Sequence, residues 1–177
     1  MSKKTALVVV DVQRVMFETP GEVLHEGQRV LETIAGLIAS ARENDIPVVY
    51  IQHTTEGAGS EFEKDSQGWL IAEDIAPQDG DTISLKYTYD AFCNTQLHEK
   101  LTGIGATALV FCGLQTEVCM DTTIRSALAH GYTSTLAEDG HSTYDNGVLS
   151  AKDIIAHHNQ TLNRRFCKVV PASDITF

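Results

Sequence analysis

No stretch of the 177 residues stays apolar for the roughly 20 positions that a membrane-spanning helix needs. Basic residues are scarce: 13 Lys and Arg stand against 24 Asp and Glu, a formal net charge of -11. That surplus repels phosphate backbones and anionic bilayers, so neither nucleic acid nor membrane is an expected partner. Cysteines number four, Cys93, Cys112, Cys119 and Cys167, with no C-x-x-C and no paired metal spacing. Without an export signal a disulfide framework is not expected, and the thiols should be free and mostly buried. The opening "MSKKTALVVVDV" imitates the start of a secretory leader, but Asp11 interrupts its apolar run too early. A mature cytoplasmic protein is the expectation. Internal repeats, low-complexity tracts and linkers are missing, and the length suits one domain over 1–177.

What is present is an alternation of strand-like and helix-like segments. "TALVVVD" (5–11), "IPVVYIQ" (46–52), "DTISLK" (81–86), "ATALVFCG" (106–113), "YTSTLAE" (132–138) and "CKVV" (167–170) read as six strands. Between them lie amphipathic stretches. One spans about 26–44, with Val30, Leu31, Ile34, Leu37, Ile38 and Ala41 on one stripe. A short helix follows Asn94 or Thr95 as cap and stops at Gly103. Another covers 117–130, with Met120, Ile124, Ala127 and Leu128 aligned and Gly131 as its C-terminal cap. The last runs over 147–164. Apolar strands separated by such helices predict an α/β fold, a parallel sheet covered on both faces. The exception is 53–80, with four glycines, Pro77 and seven acidic residues. It reads as an irregular lid or loop, the kind of segment that tends to carry function.

Ligands of open parallel sheets bind beyond the carboxyl ends of the strands. Asp11 ends the first strand, Lys86 ends the third, and Cys119 lies in the turn leaving the fourth. Thr116 reads as a helix N-cap, which makes Cys119 the third helical residue. Unpaired N–H groups and the helix dipole favour a thiolate there. An ammonium about 4 Å away adds roughly 4 kcal/mol at an effective dielectric near 20. A thiolate common at neutral pH is therefore expected. Asp11 then takes the thiol proton and returns it to a leaving amine, while backbone N–H groups hold the oxyanion.

Three stretches, "ALVVVDVQ", "SLKYTYDAF" and "CGLQTEVCMDTTIRSALAHGY", resemble in order the motifs of the isochorismatase-like cysteine hydrolases, over nearly the whole chain. The resemblance implies a Rossmann-like three-layer α/β/α sandwich with a six-stranded parallel sheet, and the triad Asp11, Lys86 and Cys119. It also implies a non-proline cis peptide between Leu114 and Gln115, with the N–H groups of Gln115 and Cys119 as the oxyanion hole. Relatives are usually homodimers or homotetramers. The metal-binding Asp-x-His of the family's nicotinamidases has no counterpart in "IQHTTEGAG", so no metal or other cofactor is expected. Retention of Cys119 favours cleavage of a C–N bond in a small amide-like molecule through a thioester.

Gln13, Phe17, His53, Trp69 and Tyr87 are the candidates to line the substrate pocket, with Phe62 beside them. "HHN" (157–159) offers no established metal-ligand spacing, because only His158 falls on the apolar stripe of its helix. "EDGHSTYDNG" (138–147) reads as a turn that starts the last helix, although His141, Ser142 and Tyr144 could border the pocket. Two other activities fit the same residues. One is an enol-ether hydrolase with Asp11 as the acid; the other is a non-catalytic redox-sensing or binding protein with an oxidisable thiol.

Overall fold

The computed structural model describes residues 4–57 and 59–177; the first three residues of the leader-like opening, and residue 58 in the expected lid, lie outside them. Six strands form one sheet: β1 (Thr5–Val10), β2 (Val48–His53), β3 (Thr82–Lys86), β4 (Ala108–Leu114), β5 (Thr133–Ser142) and β6 (Lys168–Val170). Every pairing is parallel, in the order β3-β2-β1-β4-β5-β6. The chain winds outward from β1 to β3, then returns past β1 and winds the other way from β4. Strand order therefore reverses between β1 and β4, where the carboxyl ends of a doubly wound sheet open a crevice.

Side chains alternate across the pleat, and both faces are apolar. Ala6, Val8 and Val10 of β1 share one core with Leu109 and Phe111 of β4. Over that face lie α3 (Leu97–Gly103), α4 (Asp121–Ala129) and α5 (Ala151–Leu162), through Leu97, Leu101, Ile124, Ala127 and Leu162. Leu7 and Val9 point the other way, toward α2 (Gly27–Glu43). The six-residue stripe expected for that helix is buried throughout. Ile34 is fully covered, a burial that contributes about 1.5–3 kcal/mol. The remaining helix, α1 (Val15–Glu18), is a single turn after β1.

Three expectations need correction. The stretch expected to be one helix over 117–130 begins as a π-helical turn, Thr116–Met120, closed by Met120 N–H donating to the Gln115 carbonyl at 3.1 Å, and only then becomes α4. Leu128 of its supposed stripe is 46% exposed, at the edge of the stripe in the last turn of the helix, while Ile124 and Ala127 are fully buried. The short helix is Leu97–Gly103, ending at the expected glycine, with Thr95 Oγ1 accepting from the Leu97 N–H, and the chain turns just beyond it at Gly105 (φ 73°). Finally, the expected turn after 138 is strand as far as Ser142, and α5 begins at a true N-cap, Ser150, which accepts from the Asp153 N–H.

The segment between β2 and β3 is irregular, as expected, with one 3-10 turn (Glu73–Ile75). Isolated bridges pin it at two places, Gln13 to Ile71 and Thr55 to Glu63.

Candidate active site

Three strand ends converge at the switch point. The chain leaves β1 through Asp11, whose backbone sits in the left-handed region (φ 50°) and whose N–H donates to the Ile51 carbonyl at 3.0 Å. Non-glycine residues seldom adopt that conformation, and it turns the carboxyl in over the sheet edge. Lys86 is the last residue of β3 and the register partner of His53, the last residue of β2. Cys119 hangs from the π-helical turn that follows β4. Gly113 makes that exit possible. Its φ is 135°, and a Cβ there would stand 2.1 Å from the Val10 carbonyl oxygen. The peptide bond between Leu114 and Gln115 is cis.

The Lys86 ammonium is the hub. Its Nζ lies 2.7 Å from Asp11 Oδ2 and 3.2 Å from Cys119 Sγ. It also donates to His53 Nδ1 at 2.8 Å and to the Thr88 carbonyl at 3.0 Å. Lys86 has no solvent exposure, and this full set of partners is what makes a buried charge tolerable. An ammonium has three protons, and here four acceptors surround it. The sulfur is the farthest of the four. Asp11 Oδ1 is buried without a well-formed hydrogen bond of its own, and a carboxylate oxygen of Asp11 lies within 4.8 Å of the sulfur.

This geometry overturns the expectation of a resting thiolate. Burial first, and then the Asp11 carboxylate beside it, push the Cys119 thiol up to about 12, against the opposing pull of Lys86. Thr116 does not cap the turn either. It is buried, and its Oγ1 bonds His141 Nδ1 at 2.8 Å. Burial also raises the pKa of Asp11, and the adjacent Lys86 only partly offsets this. One negative charge, shared between carboxyl and sulfur, is what the single ammonium supports.

Asp11, His53 and Cys119 each bring a metal-ligating atom within 4.8 Å of one another. The Lys86 nitrogen lies within 3.2 Å of an atom of each. The cationic position among them is thus taken by the chain itself, and the set does not fit a metal ion.

A cavity of about 380 Å³ opens above the sulfur. Asp11, His53, Leu114, Gln115 and Cys119 line it, together with Met16, Thr55, Glu61, Phe62, Tyr89 and Val118. Of the pocket candidates only His53 and Phe62 are there. Gln13 is fully buried and works as a clamp: its Oε1 accepts from the His53 N–H at 2.8 Å, and its Nε2 donates to the carbonyls of His53 and Trp69 at 3.0 and 2.8 Å. Trp69 donates its indole N–H to Thr54 Oγ1 at 3.0 Å, and Phe17 packs against the α2 core. Tyr87 is 54% exposed, and the tyrosine at the cavity is Tyr89, two residues on. Thr55, Glu61 and Tyr89 carried no signal in the sequence. For Thr55 and Glu61 the nearest one was the irregularity of 53–80, which marked the loop without saying which of its side chains turn inward; Tyr89 lies in "SLKYTYDAF", two residues past the candidate Tyr87.

Fold and site together define a doubly wound α/β protein with a buried thiol, carboxylate and ammonium at its switch point. The sequence model of the Isochorismatase domain matches residues 5–169, and the chain belongs to that family of hydrolases. It is 34% identical over 140 residues to the uncharacterized isochorismatase family protein YddQ of Bacillus subtilis (strain 168), spanning 78% of each chain. It is 36% identical over 150 residues to a streptothricin hydrolase of Streptomyces noursei, spanning 84% of this chain and 52% of that one. A crystal structure of an isochorismatase family protein, 34% identical, superposes with a TM-score of 0.88 and covers 96% of this chain and 99% of that one.

Proposed function

We propose that the protein hydrolyses a C–N bond of a small amide through a thioester on Cys119. The observation that carries this is the placement of one ammonium 2.7 Å from Asp11 and 3.2 Å from the Cys119 sulfur, at the floor of a cavity large enough for a small molecule.

At rest the thiol keeps its proton. As the sulfur attacks the amide carbonyl, that proton passes to Asp11 Oδ1, the carboxylate oxygen not held by Lys86. The carbonyl π electrons move onto oxygen, and the N–H groups of Gln115 and Cys119 receive the oxyanion. Among the described residues no backbone carbonyl accepts the Gln115 N–H. Collapse of the adduct breaks the C–N bond, and Asp11 gives its proton to the departing nitrogen. Water then attacks the thioester, again losing a proton to Asp11, and the thiol is reprotonated as the carboxylic acid leaves. Lys86 stays charged throughout. It stabilises whichever of Asp11 and Cys119 is the anion.

A second reading draws on Asp11 alone. A carboxyl whose pKa is raised by burial is suited to protonate an enol ether. Redox sensing is disfavoured, because oxidation needs a thiolate and this thiol is held protonated.

The test is a panel of small amides followed by ammonia or amine release, with intact-protein mass spectrometry during turnover. The wild type should carry an acyl group on Cys119, and Cys119→Ala should keep its fold and lose all turnover. Amide hydrolysis surviving in Cys119→Ala refutes the thioester. An enol ether cleaved equally by both proteins selects the second reading.

A further inference from the structure

The cavity above Cys119 offers a substrate only one sign of charge. Apart from Asp11, which is paired with Lys86, its charged lining residue is Glu61. Among the described residues no Lys or Arg lines it. Lys86 lies beneath the floor, with no exposure and with protein acceptors for all three of its protons. His53 adds no positive charge, since burial and the neighbouring Lys86 push its pKa down to about 4. A carboxylate or phosphate on a substrate would find no free cation here.

Glu61 is exposed, and among the described residues its carboxylate makes no ion pair and no hydrogen bond. The surfaces around it suit a cation. Phe62 meets the His53 ring edge-on, with centroids 4.9 Å apart, and Tyr89 lies parallel to the same ring at 6.2 Å. Both rings line the cavity, and aromatic faces attract ammonium groups. Tyr89 is 62% exposed, so its ring has room to receive one.

We infer that the substrate amide carries a cationic amino group, held between the Glu61 carboxylate and the rings of Phe62 and Tyr89 while its carbonyl faces Cys119. The attack on the carbonyl rests on the hydrolysis proposed above; the charge preference is a property of the cavity alone.

Three series of straight-chain amides, two to six carbons long, separate the two claims. One ends in an amino group, one in a methyl group and one in a carboxylate. Each is measured first as a protectant of Cys119 against iodoacetamide, read by mass spectrometry of the Cys119 peptide, which needs no turnover. At the best length the amino series should protect at a concentration about fivefold lower than the neutral series, the worth of a half-exposed ion pair. The carboxylate series should protect least. Glu61→Gln should bring the amino and neutral series together. Equal protection by all three series, preference for the carboxylate, or a preference for the amine that survives Glu61→Gln overturns the inference. Ammonia release is then measured on the same compounds. Charge-selective protection without turnover of any compound sinks the hydrolysis and leaves the binding inference standing. Turnover without charge selectivity does the reverse.

Discussion

Lys86 donates to the Nδ1 of His53 across 2.8 Å, and the two residues are register partners at the ends of adjacent strands. That bond and those to Asp11 and Thr88 compete with the Cys119 sulfur, which Nζ also reaches at 3.2 Å, for the three ammonium protons. Replacing the imidazole by an apolar side chain frees one proton for the sulfur. His53→Leu should therefore lower the Cys119 thiol pKa by about one unit, since a hydrogen bond to a charged group is worth about 1.5–3 kcal/mol and one unit is about 1.4 kcal/mol. The pH profile of iodoacetamide labelling at Cys119 measures it. A profile identical to the wild type would show that His53 does not compete with the sulfur.

Asp11 acts on the thiol in two opposed ways. Its charge raises the Cys119 pKa, yet it is the group that must accept the proton. Asp11→Asn should therefore make Cys119 more reactive toward iodoacetamide at neutral pH while turnover falls by about 10²–10⁴, the usual worth of a positioned acid–base group. Alkylation rate and amide hydrolysis, followed on the same protein, should move in opposite directions. A parallel fall in both would mean that Asp11 holds the site together rather than moving a proton.

The sheet was legible because each strand is an apolar run bounded by helical periodicity, and Asp11, Lys86 and Cys119 were legible because they stand at strand ends. The state of the thiol was not. The helix-dipole and ammonium arguments both point downward, but burial, which depends on the chain packed over Cys119, outweighs them. Tyr89 was missed for a similar reason. After β3 the chain turns, and nothing local distinguishes Tyr87, which faces solvent, from Tyr89, which faces the cavity. His141 lay in what read as a turn, because the strand extending to Ser142 is set by its pairing with Gly113 and Leu114 of β4, a long-range contact.

Gly113 is where that pairing and the nucleophile turn meet. A methyl group at this position would stand 2.1 Å from the Val10 carbonyl oxygen, in a backbone conformation (φ 135°) that L-residues avoid. The obstacle is backbone of the central strand, which cannot swing aside. Gly113→Ala should cost about 3 kcal/mol or more, enough to lower the thermal midpoint markedly or to prevent soluble expression. A melting curve unchanged from the wild type would contradict the close approach of β4 to β1.

The buried network behind the nucleophile turn makes stability depend on acid. Asn159 Nδ2 donates to the Glu138 carbonyl, so its Oδ1 faces His141 Nε2 at 2.9 Å and that nitrogen carries the proton. His141 Nδ1 is then the acceptor for the Thr116 hydroxyl, the first residue of the turn that bears Cys119. Burial pushes the pKa of this histidine down to about 4, below the ordinary 6.5. In that interval the unfolded chain binds a proton that the folded chain refuses. The stabilisation is fully present above pH 6.5, drains away as pH falls toward 4, and amounts to about 3 kcal/mol across the window. His141→Gln keeps a side chain able to bond both neighbours but cannot take up the proton. Denaturant unfolding from pH 7 to pH 4 should show the wild type losing stability more steeply than His141→Gln. The two curves should run parallel below pH 4, where both states of the wild type are protonated. Parallel curves across the whole range would mean that His141 takes up its proton at the same pH in the folded and unfolded chains.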